Sequence, residues 1–280
     1  MYYIVTGASG SMGCEAVKAL VAQGHTVVMA VRNTDKGEMV RKRLLEEQPQ
    51  ANIIVRRLDL SSFQSVRDFA KKTLDETAEK GEKIDGLFNN AGIINRSHIL
   101  TTDRYENTLQ VNYLSPTLLT LLLLPQIAEE GHIVNMVSLT CRYGKIDHQF
   151  FDKHYHDFSQ LGTYSNTKLA LLLISIAMHD HRSEIGAEKV HINVSDPGIV
   201  NSNMITMHRW FDPLADLLVR PFFRSPQKGV APALRALTTD EEMHLFKGQK
   251  GSQRIETRYL KHPMLNWLWQ ETMERIYSTH

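Results

Sequence analysis

A tyrosine and a lysine four positions apart, Tyr164 and Lys168, are the strongest candidates for chemistry in this 280-residue sequence. The apolar run from Leu169 to Ile174 that follows predicts a helix, and helical positions i and i+4 lie on one face. A free tyrosine, with a pKa of about 10, is a poor base at neutral pH. A lysine ammonium beside it favours the phenolate and is expected to lower that pKa by roughly 1–3 units. The pair is therefore a candidate proton donor and acceptor, although the same spacing often arises by chance.

The overall composition is that of an ordinary globular protein, with 42% hydrophobic and 22% charged residues. A formal net charge of +1 gives no reason to expect a nucleic-acid partner. The two cysteines, Cys14 and Cys141, form no CxxC pair, which suits a reducing compartment. We see neither a signal peptide nor an apolar segment of membrane-spanning length, so we expect a soluble, cytoplasmic protein without stable membrane insertion.

A glycine-rich turn near the N-terminus lies between a predicted strand, Tyr2–Thr6, and a helical pattern that follows Gly13. Glycines let the backbone turn tightly and approach a pyrophosphate, and a helix N-terminus offers unpaired N–H groups to its charge. Strand, glycine turn and helix together predict a dinucleotide-binding loop. The alternative is a purely structural tight turn.

The second predicted strand, Thr26–Val31, ends at Arg32. In dinucleotide-binding folds this strand end faces the adenosine ribose, where a carboxylate binds the 2′-OH of NAD and an arginine accommodates the 2′-phosphate of NADP. No carboxylate occupies the strand end, and Asp35 is placed to begin the next helix. We therefore expect NADP (NADPH) to be preferred to NAD, the alternative being that Arg32 is a surface residue.

Four more strands are predicted at Asn52–Leu58, Ile84–Phe88, Gly131–Val137 and Lys189–Ser195, with helices between them, one of which runs from about Thr102 to Ile127. This alternation predicts an α/β fold: one domain over residues 1–280 with a doubly wound parallel sheet (Rossmann fold) and helices on both faces. Small or polar residues follow the strand ends, where open α/β sheets bind ligands. Asp59, at one such end, is expected either to accept from an adenine amino group or to cap the next helix.

Taken together, these residues resemble the short-chain dehydrogenase/reductase family. The matching features occur in family order: Thr6-Gly7…Gly13, Asp59, Asn89-Asn90-Ala91-Gly92, Asn112, Ser138, Tyr164-x-x-x-Lys168 and Pro197-Gly198. Further segments are similar to the retinol-dehydrogenase-like branch: Val31-Arg32-Asn33, Val111-Asn112-Tyr113-Leu114, Gly144-Lys145-Ile146 and residues 221–229. That branch has the glycine pattern TGxxxGxG. Here Ser11 stands at the middle glycine and Gly10 lies one residue earlier, a spacing that resembles the sugar-nucleotide epimerase branch.

The resemblance implies hydride transfer between a nicotinamide and the alcohol or carbonyl group of a medium-sized apolar alcohol, ketone or aldehyde. Tyr164 would be the general acid/base, Lys168 would lower its pKa and hold the nicotinamide ribose, and Ser138 would hydrogen-bond the substrate oxygen. Asn112 would support a water that links Lys168 to solvent. A homodimer or homotetramer is also implied. The implied cofactor contacts are Gly7, Ser9, Ser11, Met12, Gly13, Arg32, Asp59, Leu60, Asn90, Ala91, Gly92, Tyr164, Lys168, Pro197, Gly198 and Val200.

Two other functions stay open at this point: a catalytically silent NADP-binding regulatory protein and, from the glycine spacing, a sugar-nucleotide epimerase. Residues 199–226 form a candidate substrate loop, which is expected to close over the apolar substrate, with core packing or a subunit contact as alternatives. Its aromatic residues are Trp210, Phe211, Phe222 and Phe223. His148, His154 and His156 lie in a polar segment that we interpret as a solvated loop rather than a metal site, since hydride transfer needs no metal.

Overall fold

The computed structural model describes residues 1–152, 158–200, 224–248 and 251–278. In these ranges eight strands form one sheet in the order β3-β2-β1-β4-β5-β6-β7-β8. The strands are β1 (Tyr2–Thr6), β2 (Thr26–Val31), β3 (Asn52–Arg57), β4 (Ile84–Asn89), β5 (Ile127–Met136), β6 (His191–Asp196), β7 (His244–Lys247) and β8 (Gly251–Arg254). Neighbours from β3 to β7 are parallel, and β8 is antiparallel to β7. The predicted α/β fold is confirmed, and β7 and β8 extend the six predicted strands.

Helices cover both faces of the sheet. They are α1 (Ser11–Val21), α2 (Thr34–Glu47), α3 (Phe63–Lys80), α4 (Asn107–Leu109), α5 (Ser115–Leu123), α6 (Gln160–Asp180), α7 (Pro226–Ala236), α8 (Thr257–Leu260) and α9 (Leu265–Ser278). One apolar cluster includes residues of α3, α5, α6 and α9, and a second includes residues of α1, α2 and α7. Across the described ranges, no helix combines the length and the apolar character needed to cross a bilayer.

The continuous helix expected between Thr102 and Ile127 is wrong in detail. Helix α4 begins only at Asn107, where the Glu106 carboxylate accepts from the Leu109 backbone N–H at 2.8 Å. A π-helical turn (Gln110–Leu114) joins α4 to α5, and a 3-10 turn (Leu124–Gln126) containing a proline ends the segment. Ile127 then opens β5, so this strand begins earlier than its sequence pattern indicated. Wide turns of this kind are frequent at functional sites, and this one carries Asn112.

A buried polar network fixes the helices beneath the site to the central strands. Asn89 Nδ2 donates to Asn135 Oδ1 at 2.8 Å and to Thr120 Oγ1 at 2.9 Å. Asn135 Nδ2 in turn donates to Ser175 Oγ at 2.8 Å. These bonds join β4 and β5 to α5 and α6, although Asn89 Oδ1 is buried without a hydrogen-bond partner. Since β1 lies between β2 and β4, the strand order reverses there, and open α/β sheets bind ligands at such a point.

Candidate active site

The glycine loop between β1 and α1 is shaped by two glycines. Gly7 has φ +64°, and a Cβ at this position would lie 3.0 Å from the Ala91 Cα. A Cβ at Gly13 would lie 2.5 Å from the Gly7 carbonyl oxygen and 2.8 Å from the Ala8 Cα. Helix α1 begins at Ser11 without a side-chain cap, so its first N–H groups face the loop as potential donors to an anion.

The displaced middle glycine leaves this geometry intact. Gly10 has φ −83°, and a Cβ there would meet only the Gly7 carbonyl oxygen, at 3.2 Å. The Ser11 side chain is exposed. The close approaches that need glycine therefore fall at Gly7 and Gly13, which the retinol-dehydrogenase-like pattern also contains, and the epimerase-like spacing carries little structural weight.

A cavity of about 460 Å³ runs from the glycine loop along the ends of β1 to β4. Its lining includes eleven of the residues expected to contact the cofactor: Gly7, Ser9, Ser11, Met12, Gly13, Arg32, Asp59, Leu60, Asn90, Ala91 and Gly92. The cation Lys36 also lines it, although it was not among the residues predicted from the sequence. The feature that could have indicated Lys36 from the sequence is its position in the first turn of the helix that follows Arg32.

Asp59 lies in the loop between β3 and α3. Ser62, not Asp59, caps α3, because its side chain accepts from the Ser65 backbone N–H. The Asp59 carboxylate accepts from the Ser61 backbone N–H at 3.0 Å and from the Ser61 hydroxyl at 2.6 Å. The capping alternative is therefore wrong, and Asp59 braces the loop while lining the cavity.

A second cavity of about 770 Å³ adjoins the first, since Met12, Asn90 and Gly92 line both. The other catalytic and cofactor-binding residues predicted from the sequence, apart from Asn112, line this second cavity. They are Ser138, Tyr164, Lys168, Pro197, Gly198 and Val200. Much of its wall is apolar, formed by Ile94, Met136, Val137, Leu139, Leu161 and Ile199, with Tyr143, Arg96 and Arg142 also lining it. No sequence pattern marked this wall, because its members come from four separate segments of the chain.

Ser138 and Tyr164 both line this cavity, and hydrogen bonding by the Ser138 side chain lowers the pKa of Tyr164, against the larger opposing effect of burial. Ser138 follows β5 and caps a 3-10 turn (Leu139–Tyr143), and its Oγ accepts from Thr140 Oγ1 at 3.1 Å. Tyr164 lies in the second turn of α6, which Ser159 caps by accepting from the Gly162 N–H. The end of β5 and the start of α6 thus place two residues with hydroxyl groups on the wall of the same cavity.

Lys168 lies one turn further along α6 and is buried. Its Nζ is 5.8 Å from the Tyr164 ring centroid and donates to the Met136 carbonyl oxygen at 2.7 Å. Burial raises the pKa of Tyr164 to about 12 and lowers the pKa of Lys168 to about 8. The expected lowering of the tyrosine pKa is therefore wrong for this arrangement, because desolvation of the phenolate dominates.

Asn112 lies in the π-helical turn, and both the oxygen and the nitrogen of its side-chain amide are hydrogen-bonded. Its Oδ1 accepts from the Ile93 backbone N–H at 2.8 Å, and its Nδ2 donates to the Ile93 carbonyl oxygen at 2.9 Å. A Cβ added at Gly92 would lie 3.4 Å from Lys168 Nζ and 3.5 Å from Asn112 Oδ1. Because Gly92 has no side chain, Lys168 Nζ and Asn112 Oδ1 both border the small space beside its Cα.

Several residues named from the sequence lie outside the described residues: Trp210, Phe211, Phe222, Phe223, His154 and His156. Of the substrate loop expected at residues 199–226, the described parts are Ile199–Val200 and Arg224–Pro226. A parallel bridge joins Val200 to Arg224, so the two ends of this segment meet beside the cavity. His148 contacts the Trp267 ring edge-on, with ring centroids 5.0 Å apart.

Comparison with known proteins agrees with this arrangement. The sequence matches the family model described as short chain dehydrogenase over residues 2–210. Mouse retinol dehydrogenase 13 is 30% identical over 255 residues, which cover 88% of this chain and 73% of that protein. Human retinol dehydrogenase 11 is 33% identical over 242 residues, which cover 85% of this chain and 72% of that protein.

Solved structures share the fold. An uncharacterized protein from Mycobacterium paratuberculosis superposes with a TM-score of 0.74 at 25% identity, over 98% of this chain and 92% of that chain. A Shigella flexneri protein complexed with NADP superposes with a TM-score of 0.63 at 20% identity, over 85% of this chain and 91% of that chain. The chain belongs to the short-chain dehydrogenase/reductase family, in its retinol-dehydrogenase-like branch, and is an NAD(P)-dependent dehydrogenase/reductase acting on CH–OH groups.

Proposed function

We propose that this protein is an NADP-dependent oxidoreductase that transfers a hydride between the nicotinamide and the alcohol or carbonyl group of a medium-sized apolar substrate. The observation that carries the proposal is the Ser138–Tyr164 hydroxyl pair, which opens into an apolar cavity next to the glycine loop. The names of the mouse and human relatives state action on retinol, an apolar alcohol, which supports this substrate class.

The residues around the smaller cavity fit a dinucleotide. At Gly7 and Gly13 any Cβ would collide with neighbouring backbone, so these glycines allow the tight loop that lines the cavity, and helix α1 begins beside it without a side-chain cap. Within the described part of the chain, Asn90 Oδ1 is buried without a hydrogen-bond partner, while Asn90 Nδ2 donates to the Thr6 carbonyl oxygen. Such an orphaned acceptor suits a nucleotide hydroxyl. Arg32 and Lys36 supply two positive charges where a 2′-phosphate would lie.

Tyr164 and Ser138 are the side chains that contact the reacting oxygen of the substrate. When bound, the nicotinamide supplies or accepts the hydride. Tyr164 donates its hydroxyl proton to a carbonyl oxygen in reduction and accepts a proton in oxidation, and Ser138 hydrogen-bonds the same oxygen. Lys168 holds the ribose, and Asn112 supports the water that connects Lys168 to solvent. With a pKa of about 12, the Tyr164 hydroxyl stays protonated at neutral pH, which suits proton donation.

The test is turnover of an aldehyde, ketone and alcohol panel by the wild type and by Tyr164→Phe. The variant should lose at least about 100-fold in kcat, because a positioned general acid contributes about 10²–10⁴-fold, while NADPH affinity stays within threefold of the wild type. Tyr143→Phe is the matched control, since this tyrosine lines the same cavity but is 72% exposed. Equal turnover in Tyr164→Phe and the wild type would refute the assigned role.

The same panel separates the alternatives. Tight NADPH binding without turnover of any carbonyl or alcohol would instead favour the silent NADP-binding protein. A cofactor that stays bound through purification and cycles on a sugar nucleotide would favour an epimerase. The family match already favours a dehydrogenase over the epimerase.

A further inference from the structure

The C-terminal helix α9 packs one face against the body of the protein. The buried residues of this face follow helical spacing, and they are Leu265, Leu268, Trp269, Thr272 and Ile276. Thr272 is the polar member of the set, and it is 0% exposed. A hydroxyl buried in this way is expected to have hydrogen-bond partners, so the partners of Thr272 identify what α9 is fixed to.

The partner of Thr272 outside its own helix is Tyr113, the residue after Asn112 in the π-helical turn. The Tyr113 hydroxyl and Thr272 Oγ1 are hydrogen-bonded, and Tyr113 is also 0% exposed. Thr272 Oγ1 donates its one proton to the Leu268 carbonyl oxygen at 2.6 Å. The Tyr113 hydroxyl is therefore the donor in the bond between the two side chains, and Thr272 accepts.

Two consecutive side chains of the π-helical turn are thus bonded to different elements. Asn112 bonds the Ile93 backbone after β4, and its Nδ2 also donates to Thr167 Oγ1 of α6 at 3.3 Å. Tyr113 bonds Thr272 of α9. Because π-helical turns are rare and short, we infer that such tertiary bonds are needed to hold this one in shape. A change at α9 is therefore transmitted to the turn that carries Asn112.

We propose that Tyr113 and Thr272 are positioning residues: their hydrogen bond ties α9 to the π-helical turn and fixes how that turn presents Asn112 beside Lys168. This inference rests on the role proposed above for Asn112. A Cβ at Gly92 would lie 3.4 Å from Lys168 Nζ and 3.5 Å from Asn112 Oδ1, so the two groups border one narrow space. A displacement of about 1 Å in such a site can cost about 10²-fold in rate.

The test is Thr272→Val, which keeps nearly the same side-chain shape but leaves the buried Tyr113 hydroxyl without its acceptor. Measured well below the melting temperature, kcat for NADPH-dependent carbonyl reduction should fall at least about fivefold. Amide hydrogen exchange at the Ile93 N–H, which donates to Asn112 Oδ1, should become faster and can be followed by NMR. Thr272→Ser retains the hydroxyl and should bring both quantities to within about twofold of the wild type.

Thr77→Val is the matched control. The Thr77 hydroxyl is also buried in a helix and also donates to a carbonyl oxygen four residues earlier, that of Thr73 at 2.8 Å, but it lies in α3. This variant should lower the melting temperature and leave both kcat and the exchange of Ile93 unchanged. Asn112→Ala should itself lower kcat, and in that background Thr272→Val should cost less than about twofold more, because the group that it positions is gone.

Unchanged kcat and unchanged Ile93 exchange in Thr272→Val would overturn the proposal. An equal loss of kcat in the wild-type and Asn112→Ala backgrounds would also overturn it, since a purely structural residue behaves in that way. If Thr272→Val does not fold, Tyr113→Phe takes its place, because Thr272 then keeps its bond to Leu268, and unchanged Ile93 exchange in that variant overturns the proposal. A wild type that reduces no carbonyl refutes the proposed function instead, while the exchange measurement still tests the link from α9 to Asn112.

Discussion

Replacing Gly13 by alanine tests the interpretation of the glycine loop at its tightest point. The added Cβ would lie 2.5 Å from the Gly7 carbonyl oxygen and 2.8 Å from the Ala8 Cα, and both are backbone atoms that no side-chain rotation can move. The loop must therefore shift as a unit, away from the position that leaves space for a pyrophosphate. Gly13→Ala should weaken NADPH binding, lower stability, or do both.

The size of the effect follows from the cost of inserting a methyl group into a packed site. Such overpacking costs about 1–3 kcal/mol, which corresponds to a loss of about 5- to 150-fold in affinity if it falls on binding. If it falls on folding, each kcal/mol lowers the melting temperature by about 2–4 °C, by extrapolation from somewhat smaller proteins. Fluorescence titration with NADPH and a thermal melt without NADPH measure the two parts separately.

Gly10→Ala is the matched control, because its Cβ would approach only the Gly7 carbonyl oxygen, at 3.2 Å. Its cost should stay below about 1 kcal/mol, mainly from a poorer helix cap. If Gly10→Ala weakens NADPH binding as much as Gly13→Ala does, the closest approach is not at Gly13 and the assignment of the loop glycines is refuted.

Three further outcomes are expected. Arg32→Asp should weaken NADPH binding by at least about tenfold and NADH binding by less than threefold, because only NADPH carries the 2′-phosphate; equal losses would make Arg32 a surface residue. Burial lowers the pKa of Lys168 from 10.5 to about 8, so between pH 8 and 10.5 this lysine is protonated in the unfolded chain and neutral in the folded one. The free energy of unfolding of the wild type should therefore rise relative to that of Lys168→Met, by up to about 3 kcal/mol, as pH rises from 8 to 10.5. Urea unfolding at several pH values measures this difference. A constant difference would contradict the lowered pKa. Asn135→Ala should cost about 1–3 kcal/mol in urea unfolding because it breaks a buried network, against about 0.5 kcal/mol for Asn52→Ala, whose bond to Thr26 is exposed; equal costs would show that the network contributes little.

Local patterns were sufficient to predict most of the fold and the glycine loop that lines the smaller cavity, but not the apolar wall of the larger cavity. Each of the first six strands has an apolar run, and the rule that parallel sheets bind ligands at carboxyl ends placed Asn90, Ser138 and Gly198 at one edge. The spacing of Tyr164 and Lys168 needed only a helix to put both on one face. By contrast, β7 and β8 have four residues each and a mostly polar sequence, so no pattern marks them.

The remaining features depend on partners that are distant in sequence. Burial raises the pKa of Tyr164, and the spacing to Lys168 does not reveal that burial. The sequence indicated that Lys36 begins a helix, but no local pattern showed that this residue lines the cavity. The π-helical turn around Asn112 depends on packing between neighbouring elements, because Val111-Asn112-Tyr113 by itself fits an ordinary helix.

The most direct measurement follows a deuterium label. The wild type, supplied with NADPH carrying deuterium at the transferable position of the nicotinamide, would be incubated with an apolar aldehyde, and the alcohol product would be analysed by mass spectrometry. The account predicts one deuterium per alcohol for the wild type and for Tyr143→Phe, and little or no labelled alcohol for Tyr164→Phe. Unlabelled alcohol from the wild type, or labelled alcohol formed equally fast by Tyr164→Phe, would contradict direct hydride transfer assisted by Tyr164.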